Sequence, residues 1–456
     1  MSQQVTAIVD IGKTNKKFFL FDEDLNEVYN QQMRLDELRD EDGYPCDDLD
    51  AILKWVAGQM DVVMSLKEVQ IKKINFSTYG ASFVHIDKAG KPLTPLYNYT
   101  KPFPESLREK FNQAYGDEAT LALETASPYA GMLNSGMQLY WLKHMRPEVY
   151  EKVHYSLHFP QYLSYFFTNH AVSDFTSIGC HTSLWDYSKK AYHSWVYKEG
   201  IDQKLPRIVP TTTVLDATYK GHALKAGVGI HDSSSALLPY LKCEHDPFIL
   251  VSTGTWSISL NPFNNELLSR EELENGCLCY MQTTGTPVKA SRLFLGNEHA
   301  IQVARLEEYF NKEKGAHLTL KFDESLNRKL SETPRRLFKL ETIQGLENVA
   351  ETNPAAFSSF EEAYHQLMIE LIELQVNAIQ LAQGRSEVAT LFIDGGFADN
   401  DLYLNLLSAH FREYSLCSTK MPLGTALGAA MVVSDRTTTP DLVKRKIKRH
   451  FARIPD

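Results

Sequence analysis

A strand–turn–strand pattern occurs twice in this sequence, about 240 positions apart, and it constrains the fold more than any other feature. Residues 5–10 and 17–22 are short apolar segments joined by a polar, glycine-containing turn. Residues 248–252 and 256–260 repeat this plan around a Thr-Gly-Thr turn. The repetition predicts two related lobes, with the boundary near residues 244–248.

The length of the chain supports the same division. A chain of 456 residues exceeds what a single hydrophobic core usually organises, so two domains are the simplest arrangement. We therefore expect an N-terminal lobe over residues 1–246 and a C-terminal lobe over residues 247–456. Segments with helical apolar spacing, at residues 47–64 and 360–382, add helices to the strands.

Composition and charge exclude several classes of protein. The net charge of −10 disfavours nucleic-acid binding, which usually requires a basic face. No apolar run reaches the roughly 18 residues of a membrane span, and the N-terminus lacks the basic and apolar regions of a signal peptide. The six cysteines are scattered without the spacing of a zinc site, which indicates buried thiols in a reducing compartment, the cytoplasm.

Several other segments carry structural predictions. The aromatic-rich residues 130–186 are typical of a packed core, and residues 174–179 indicate a polar loop between packed segments. A further hairpin is expected at residues 83–91. The small-residue segment 424–430 predicts a helix that packs closely on a sheet. The basic residues 444–450 predict the solvated face of a helix.

A single acidic residue, Asp232, follows the flexible pair Gly227 and Gly229. Glycine permits a positive φ and a close backbone approach, which a carboxylate aimed into a cleft would need. The serines at 233–235 are suited to open a helix whose free N–H groups could bind an anion or a hydroxyl-rich ligand. On these residues alone, an exposed carboxylate that caps a helix is the simpler interpretation.

Three Gly/Thr-rich turns change that interpretation. Each follows an apolar strand, and they lie at residues 10–16, 252–256 and 394–400. Together with the carboxylate between them, they suggest that phosphates and a nucleoside are held in a cleft between the lobes. None of the turns has the P-loop spacing or the Rossmann fingerprint.

Four motifs resemble those of the FGGY carbohydrate kinases, which belong to the actin, sugar kinase and Hsp70 superfamily. They are Asp10-x-Gly12-x-Thr14, Ser252-Thr-Gly-Thr255, Asp394-Gly-Gly396 and Gly229-x-x-Asp232, in the order and strand context of that family over roughly residues 5–435. The pair His231-Asp232 and the turn before Trp256 are similar to the rhamnulokinase-like branch. The resemblance implies an α/β fold of two ribonuclease-H-like, actin-like lobes with an interlobe cleft. The sugar would bind mainly on the N-terminal lobe and ATP on the C-terminal lobe.

The resemblance also assigns roles to individual residues. Asp232 would be the general base that accepts the proton of the attacking sugar hydroxyl, and Asp10 would hold Mg²⁺ through water. His231 could either bond a sugar hydroxyl or orient Asp232. The residues implied in ATP or phosphate binding are Gly12, Thr14, Asn15, Lys17, Gly254, Thr255, Gly396 and Asn400. The residues implied in sugar binding are Gly80, Ser82, His231 and Asp232.

The chain departs from the family pattern at several positions, one of which contacts the sugar in many family members. Ser82 stands where many members have an aspartate that binds sugar hydroxyls. Tyr99-Thr-Lys101 replaces a Tyr-Arg-Asp sequence, and Gln138 replaces a lysine. A second family signature is not recognisable in residues 293–299. The identity of the sugar therefore rests on Ser82 and Lys101.

The expected function is ATP-dependent phosphorylation of a ketose or deoxyketose of the L-rhamnulose or L-fuculose type, with Mg²⁺, by a monomer or homodimer. A ketopentose of the xylulose or ribulose type is an alternative acceptor. A regulatory relative that binds nucleotide or sugar without turnover is a second alternative, although such a protein has little reason to keep Asp232. An actin-like or Hsp70-like ATPase is disfavoured because no peptide-binding domain is recognisable.

Overall fold

The computed structural model describes residues 2–332, 336–343, 351–420, 423–435, 439–446 and 448–451. Its first half contains strands β1 (Gln3–Ile11), β2 (Lys16–Asp22), β3 (Glu27–Met33), β4 (Leu38–Arg39), β5 (Pro45–Asp47), β6 (Val69–Thr78), β7 (Phe83–Ile86), β8 (Leu96–Tyr97), β9 (Tyr155–His158), β10 (Ser173–Asp174), β11 (Trp185–Asp186), β12 (Ala191–Tyr192), β13 (Ile208–Val209), β14 (Val214–Tyr219), β15 (His222–Gly227) and β16 (Ile230–His231). The helices of this half are α1 (Leu49–Met64), α2 (Glu105–Tyr115), α3 (Glu118–Thr125), α4 (Ser135–Met145), α5 (Pro147–Tyr150), α6 (Phe159–Thr168), α7 (Phe175–Ile178), α8 (Ser194–Lys198) and α9 (Asp232–Cys243).

The second half is built in the same way. Its strands are β17 (Phe248–Thr253), β18 (Ser257–Asn261), β19 (Cys277–Met281), β20 (Pro287–Leu293), β21 (Thr390–Gly395), β22 (Ser415–Lys420) and β23 (Lys448–Phe451). Its helices are α10 (Arg270–Glu274), α11 (Leu295–Tyr309), α12 (Glu324–Ser331), α13 (Phe360–Gln383), α14 (Asp401–His410), α15 (Gly424–Val432) and α16 (Pro440–Lys446).

Each half has a mixed central sheet, and the two sheets follow one plan. The N-terminal sheet has the order β14-β15-β6-β1-β2-β3, and β16 also pairs with β6. The C-terminal sheet has the order β19-β20-β18-β17-β21-β22-β23. In both, an antiparallel hairpin (β1–β2 or β17–β18) contributes its first strand to a parallel pair with a later strand, β6 or β21. This correspondence confirms the two-lobed α/β fold inferred from the repeated pattern.

The helices that connect the parallel strands bury apolar faces against the sheets. Helix α1 is capped by Asp48, whose carboxylate accepts a hydrogen bond from the Ala51 N–H, and helix α13 ends at Gly384, as the sequence predicts. The faces of α1 and α13 that point inward are fully buried. Each buried aliphatic side chain of this kind stabilises the fold by about 1.5–3 kcal/mol relative to an exposed one.

Helix α15 packs mainly on helix α9, whereas the sequence predicted packing on a sheet. A Cβ on Gly428 would lie 1.9 Å from the backbone oxygen of Ser235, so the contact requires glycine. Helix α15 also reaches β1 and β6 of the N-terminal sheet. One apolar cluster therefore joins α9 and α15 to strands of both lobes.

The hairpin expected at residues 83–91 forms, with a turn at Gly90 and an antiparallel bridge between Ile86 and Pro92, and strand β7 pairs in addition with the distant strand β9. Two other local predictions need correction. Residues 174–179 are not a polar loop, because Asp174 is fully buried and caps helix α7. Among the described residues of the basic segment 444–450, those up to Lys446 lie in helix α16, whereas residues 448–450 belong to strand β23, which pairs with β22.

None of the helices in the described residues combines the length and the apolar character that crossing a lipid bilayer requires.

Candidate active site

The ends of three parallel strands place the acidic candidates at one edge of the N-terminal sheet. Strands β1, β6 and β16 run parallel, with Asp10 opposite Ser77 and Ser77 opposite Ile230. The carboxyl ends of these strands therefore meet at the same edge, where open α/β sheets usually bind ligands. Asp232 follows β16 directly and is the first residue of helix α9, which faces this edge.

Two glycines make this placement of Asp232 possible. Gly229 has a φ of +86°, and a Cβ there would lie 2.6 Å from the backbone oxygen of Pro160. A Cβ on Gly227 would lie 2.3 Å from Oδ1 of Asn75, which also accepts a hydrogen bond from the Gly229 N–H. The path of the chain from β15 to α9 therefore requires glycine at positions 227 and 229, as the sequence predicts.

The carboxylate of Asp232 remains accessible, since its side chain is 30% exposed. It does not cap helix α9, because residue 231 occupies the N-cap position. Its Oδ1 accepts a hydrogen bond from the Ser233 N–H at 2.6 Å, which fixes the direction of the side chain. Asp232 is thus an ordered acidic group at a helix N-terminus, with an oxygen left for a ligand.

His231 is buried beside Asp232. Its Nε2 lies 3.1 Å from Oδ1 of Asp232 and 3.1 Å from Sγ of Cys180, and its ring stacks on Tyr280. Burial lowers the pKa of His231, while the charges of Asp232 and Asp174 oppose the shift. The Nε2 atom is hydrogen-bonded to Cys180, while Asp232 lies within ion-pair distance of it. This geometry favours orientation of Asp232 over direct binding of a sugar hydroxyl.

A buried network that the sequence did not reveal supports this pair. The Thr176 hydroxyl donates to Asp174 and accepts the N–H of His231 at 3.0 Å. Asp174 also accepts hydrogen bonds from Gln161 and Thr211 at 3.0 and 2.8 Å. The alternation of an acidic residue and threonine at 174–176 was the available signal, but it was assigned to a loop. These bonds fix the backbone that carries His231.

Asp10 and Lys17 lie on the same edge as Asp232. They are opposite each other in the β1–β2 register, and the Thr425 hydroxyl from helix α15 donates to Asp10 at 2.8 Å. Burial raises the pKa of Asp10 to about 6; the Thr425 hydrogen bond and the charge of Lys17 oppose this shift, and the charge of Asp232 adds to it. Sequence reasoning missed Thr425 because its segment was assigned only to packing.

The turn between β1 and β2 presents further candidates. The Gly12 N–H donates to the Asn15 carbonyl at 2.9 Å, which closes the turn, and Thr14 at its tip is exposed. The buried Lys16 ammonium donates to the Gly12 and Lys13 carbonyls at 3.3 and 2.9 Å, so it supports the turn from beneath. These internal hydrogen bonds therefore fix the shape of the turn.

In the C-terminal lobe, the two glycine turns contact each other directly. The Gly396 N–H donates to the Thr253 carbonyl at 2.7 Å. Gly395 has a φ of +90°, and a Cβ there would lie 1.9 Å from the same oxygen. Gly254, Thr255 and Gly396 are exposed, whereas Asn400 caps helix α14 and donates to the Tyr364 hydroxyl. The amide of Asn400 is therefore already engaged.

The substrate positions singled out by sequence are less available. The Ser82 hydroxyl is buried and donates to the Tyr97 carbonyl at 3.1 Å. The Lys101 ammonium is buried and pairs with Asp40 and Asp42 at 2.6 and 2.7 Å. A Cβ on Gly80 would lie 2.7 Å from Sγ of Cys180 and 3.0 Å from the His231 ring, so Gly80 serves close packing. Ser82 and Lys101 thus have structural partners.

The residues at the cleft fit a magnesium nucleotide. Oxygen ligands suit Mg²⁺, which keeps several waters and is usually held by one or two carboxylates and substrate phosphates. Asp10 offers such a carboxylate beside Lys17. A Cβ on Gly254 or Gly396 would meet no atom closer than 3.8 Å, so each leaves open space in front of an exposed backbone turn.

Family models match both halves of the chain. The N-terminal domain of the FGGY family of carbohydrate kinases matches residues 5–238, and the C-terminal domain of the FGGY carbohydrate kinases matches residues 245–441. The chain belongs to the FGGY family. The resemblance of its four motifs is therefore confirmed.

Individual FGGY proteins are similar to this one at low identity. The rhamnulokinase of Halalkalibacterium halodurans is 23% identical over 278 residues, which cover 54% of this chain and 52% of that protein. The L-fuculokinase of Escherichia coli K12 is 24% identical over 279 residues, or 57% and 56% of the two chains. The chain thus spans about half the length of the curated relatives that it matches.

Solved structures of FGGY kinases extend the similarity to the whole fold. A carbohydrate kinase from Novosphingobium aromaticivorans superposes with a TM-score of 0.79 at 20% identity, covering 97% of this chain and 95% of that one. A Plasmodium falciparum glycerol kinase superposes with a TM-score of 0.77 at 16% identity, covering 100% and 95%. These similarities confirm the actin-like, two-lobed fold.

Proposed function

We propose that this protein transfers a phosphoryl group from ATP to a hydroxyl group of a sugar. The observation that carries the proposal is the position of Asp232: an ordered, accessible carboxylate beside His231, on the same sheet edge as Asp10 and Lys17. Membership of the FGGY family supports it. The sugar would bind to the N-terminal lobe and ATP to the C-terminal lobe, with the division near residue 247.

Asp232 acts as the general base in this proposal. A sugar hydroxyl is a weak nucleophile, and a positioned carboxylate that accepts its proton during transfer accelerates the reaction by about 10²–10⁴-fold. His231 holds Asp232 through the 3.1 Å contact and remains neutral because it is buried. The hydroxyl proton moves to a carboxylate oxygen of Asp232 as the hydroxyl oxygen attacks the terminal phosphorus, and the bond from this phosphorus to the bridging oxygen breaks so that ADP leaves.

The two hairpin turns and the β21–α14 turn bind the nucleotide in this proposal. Gly12, Thr14, Asn15 and Lys17 face the terminal phosphate, Gly254 and Thr255 face the inner phosphates, and Gly396 and Asn400 lie near the nucleoside. Asp10 would hold Mg²⁺ through water. When bound, the metal ion neutralises charge on the phosphates.

The acceptor is a ketose or deoxyketose of the L-rhamnulose or L-fuculose type. The His231-Asp232 pair and the half-length similarity to a rhamnulokinase and an L-fuculokinase support this class. A ketopentose remains the alternative acceptor. All six cysteines are buried and none is in a disulfide, which supports a reducing compartment such as the cytoplasm.

A substrate panel tests the proposal. The purified protein is incubated with Mg-ATP and with ketohexoses, 6-deoxyketohexoses, ketopentoses, polyols and sugar acids, and ADP release and sugar phosphate are both measured. We expect one class to raise ADP release together with an equal amount of sugar phosphate. If every compound leaves ADP release at the level seen without sugar, the kinase proposal fails. Sugar binding without turnover would then favour the regulatory alternative.

A further inference from the structure

Arg292 lies in the C-terminal sheet beside the glycine turn at residues 253–255. It is near the end of strand β20, opposite Ile258 of β18, which is the strand that leaves this turn. The Trp256 carbonyl accepts a hydrogen bond from the Gly254 N–H at 2.8 Å, so Trp256 closes the turn. The guanidinium carbon of Arg292 lies 5.7 Å from the centre of the Trp256 ring. A side-chain contact therefore places Arg292 directly at the turn.

Helix α11, which follows strand β20, packs against the same turn. The Asn297 N–H in its first turn donates to the Thr255 carbonyl at 3.0 Å. A Cβ on Gly296 would lie 1.8 Å from the Gly254 carbonyl oxygen, so this approach requires glycine. The start of α11 therefore fixes the end of β20, and the arginine near that end, relative to the turn.

The guanidinium of Arg292 has no charged partner among the described residues. No carboxylate oxygen of these residues lies within 4.0 Å of its nitrogens, and its buried Nε donates to no acceptor. Lys289 on the same strand differs, because it is buried and pairs with Glu272 at 2.6 Å. A half-buried cation with an unused donor is costly until water or a ligand satisfies it. Arg292 thus offers a charge and a donor to an anion at the turn.

The face of the sheet that carries Arg292 is turned toward the N-terminal lobe. Directly opposed residues of antiparallel strands share a face and every second residue points the same way, so Arg292 shares its face with Ile258 and Leu260. Leu260 belongs to the apolar cluster that joins the lobes, and Ile258 packs against this cluster. Tyr280, on the same face, stacks on His231 at 5.6 Å. Arg292 therefore lies on the side of the turn that faces the proposed sugar site.

We propose that Arg292 binds the terminal phosphate of ATP and stabilises the charge on this group during its transfer to the sugar. The planar guanidinium can donate two parallel hydrogen bonds to phosphate oxygens. Among the residues proposed above for the nucleotide, Lys17 of the N-terminal lobe is the one cation, and Arg292 adds a second from the C-terminal lobe. The inference rests on the proposed function and adds a residue to its phosphate site.

The terminal phosphate fits this position better than the inner phosphates or the sugar. The exposed backbone of Gly254 and Thr255 serves the inner phosphates in the proposed function. The transferred group must lie between this turn and the sugar hydroxyl at Asp232, and Arg292 is on that side of the turn. A neutral ketose has no anionic group that a guanidinium would pair with.

The chemistry of the transfer is that of the proposed function. The sugar oxygen bonds the terminal phosphorus, the bond from this phosphorus to the bridging oxygen breaks, and ADP leaves while Asp232 takes the hydroxyl proton. Arg292 neither gains nor loses a proton, because a guanidinium stays charged in proteins. Its contribution is to hold the phosphate oxygens and to balance their charge.

The test compares two nucleotides that differ by the terminal phosphate. Calorimetry measures the affinities of Mg-ADP and of a non-hydrolysable Mg-ATP analogue, with and without the best sugar of the panel, and single-turnover kinetics measure transfer from ATP. The variants are Arg292→Gln, Arg292→Lys and the control Arg305→Gln, at an exposed arginine that pairs with Glu341 at 2.9 Å. Circular dichroism and the melting temperature show whether each variant folds.

We expect Arg292→Gln to weaken binding of the ATP analogue by about 10–100-fold, because a hydrogen bond to a charged group is worth this much, and to leave ADP affinity at the wild-type level. Transfer should slow by about 10²–10³-fold, as when a donor to the charge of a transition state is removed. Arg292→Lys should lose less of both, since it keeps the charge but not the fork. Sugar affinity without nucleotide should not change, and Arg305→Gln should match the wild type.

Three results would overturn the inference: an Arg292→Gln protein that keeps wild-type affinity for the ATP analogue, one that loses ADP affinity equally, or one that weakens only sugar binding. If Arg292→Gln does not fold, the same comparison with Arg292→Lys decides. A wild type that transfers phosphate to a sugar, with Arg292→Gln equally active, would contradict the inference and leave the kinase proposal intact. A wild type without transfer to any sugar, with selective loss of the ATP analogue in Arg292→Gln, would support the phosphate contact and contradict the kinase proposal.

Discussion

The role of a charged residue in this protein depends on whether the fold has already given it a partner. Asp232 keeps a carboxylate oxygen for a ligand, and Arg292 keeps a buried donor. Lys101 differs, because its ammonium lies between two carboxylates and over the rings of Tyr97 and Trp141 at 4.8 and 4.6 Å. The sequence suggested that Lys101 helps to select the sugar. The ion pairs and ring contacts of Lys101 indicate instead that it stabilises the fold.

Replacing Lys101 by methionine should destabilise the protein without selecting another sugar. The variant leaves the carboxylate of Asp40 buried without its cation, which costs about 3–5 kcal/mol. The midpoint of urea unfolding measures the loss, and Lys88→Met, at an exposed lysine, is the control. A Lys101→Met protein with wild-type stability and an altered sugar preference would contradict this assignment.

His85 should make the stability of the protein depend on pH. Burial lowers the pKa of His85 to about 3, and its Nδ1 lies 2.8 Å from the Ser156 hydroxyl. In the unfolded chain the imidazole binds a proton below about pH 6.5, whereas the native ring does not, so stability falls as the pH falls from about 6.5 toward 3. This histidine contributes a slope of about 1.4 kcal/mol per pH unit in that window.

The measurement is the free energy of urea unfolding at several pH values between about 6.5 and 4.5, for the wild type and for His85→Gln. The variant should show a slope smaller by about 1.4 kcal/mol per pH unit, because glutamine does not titrate. His222→Gln, at an exposed histidine, is the surface control. Identical slopes for wild type and His85→Gln would show that His85 does not stay neutral in the native protein.

At the scale of elements, the sequence predicted the strands and helices that local patterns of apolar residues determine. Apolar runs gave the strands of both hairpins, and the spacing of apolar residues gave α1 and α13 almost to their ends. Elements formed by distant partners were not predictable in the same way. Strand β7 pairs with β9 about 70 residues later, and the cap at Asp174 is buried only because Gln161 and Thr211 reach it.

The same distinction between local patterns and distant contacts applies to the residues of the candidate site. The motifs identified Asp232 and Asp10, because Gly-rich turns after strands are recognisable in one dimension. The motifs did not identify Thr425 or Arg292, because the first acts across the interface of two helices and a strand, and the second is distinguished only by lacking a partner. Ser82 was identified from the family pattern, but its hydroxyl bonds a carbonyl of its own lobe.

The contact between α9 and α15 should depend on the absence of a side chain at Gly428. Alanine there would place its Cβ 1.9 Å from the Ser235 carbonyl oxygen, so the helices must separate, and overpacking of this kind costs about 1–3 kcal/mol. Gly58→Ala is a matched control, because Gly58 lies inside helix α1 with no atom within 4 Å of the added carbon.

Thermal and urea unfolding measure both variants. Gly428→Ala should unfold more easily than wild type, whereas Gly58→Ala should gain about 0.5–1 kcal/mol from its helix propensity. Gly428→Ala should also lower turnover, because α15 carries the Thr425 hydroxyl that bonds Asp10. A fully stable and active Gly428→Ala protein would contradict the packing described for these helices.

At the scale of the whole molecule, the two lobes meet where the reaction would occur. Helix α15 of the C-terminal lobe accepts a hydrogen bond from Asn75 of β6 at the Ala429 carbonyl, 2.8 Å away, and donates one to Asp10 of β1 through Thr425. Helix α9 begins at Asp232 and ends in the apolar cluster shared by both lobes. A movement of one lobe relative to the other would therefore change the positions of Asp10 and Asp232.

The central claim is that Asp232 accepts the proton of a sugar hydroxyl during phosphoryl transfer from ATP. It is tested most directly by comparing Asp232→Asn with wild type in single-turnover transfer from labelled ATP to the best sugar of the panel. Sugar affinity is measured in parallel, and Asp216→Asn, at an exposed carboxylate of β14, is the control. We predict that Asp232→Asn slows transfer by about 10²–10⁴-fold with sugar affinity nearly unchanged, while the control keeps the wild-type rate. Wild-type transfer by Asp232→Asn would contradict the account.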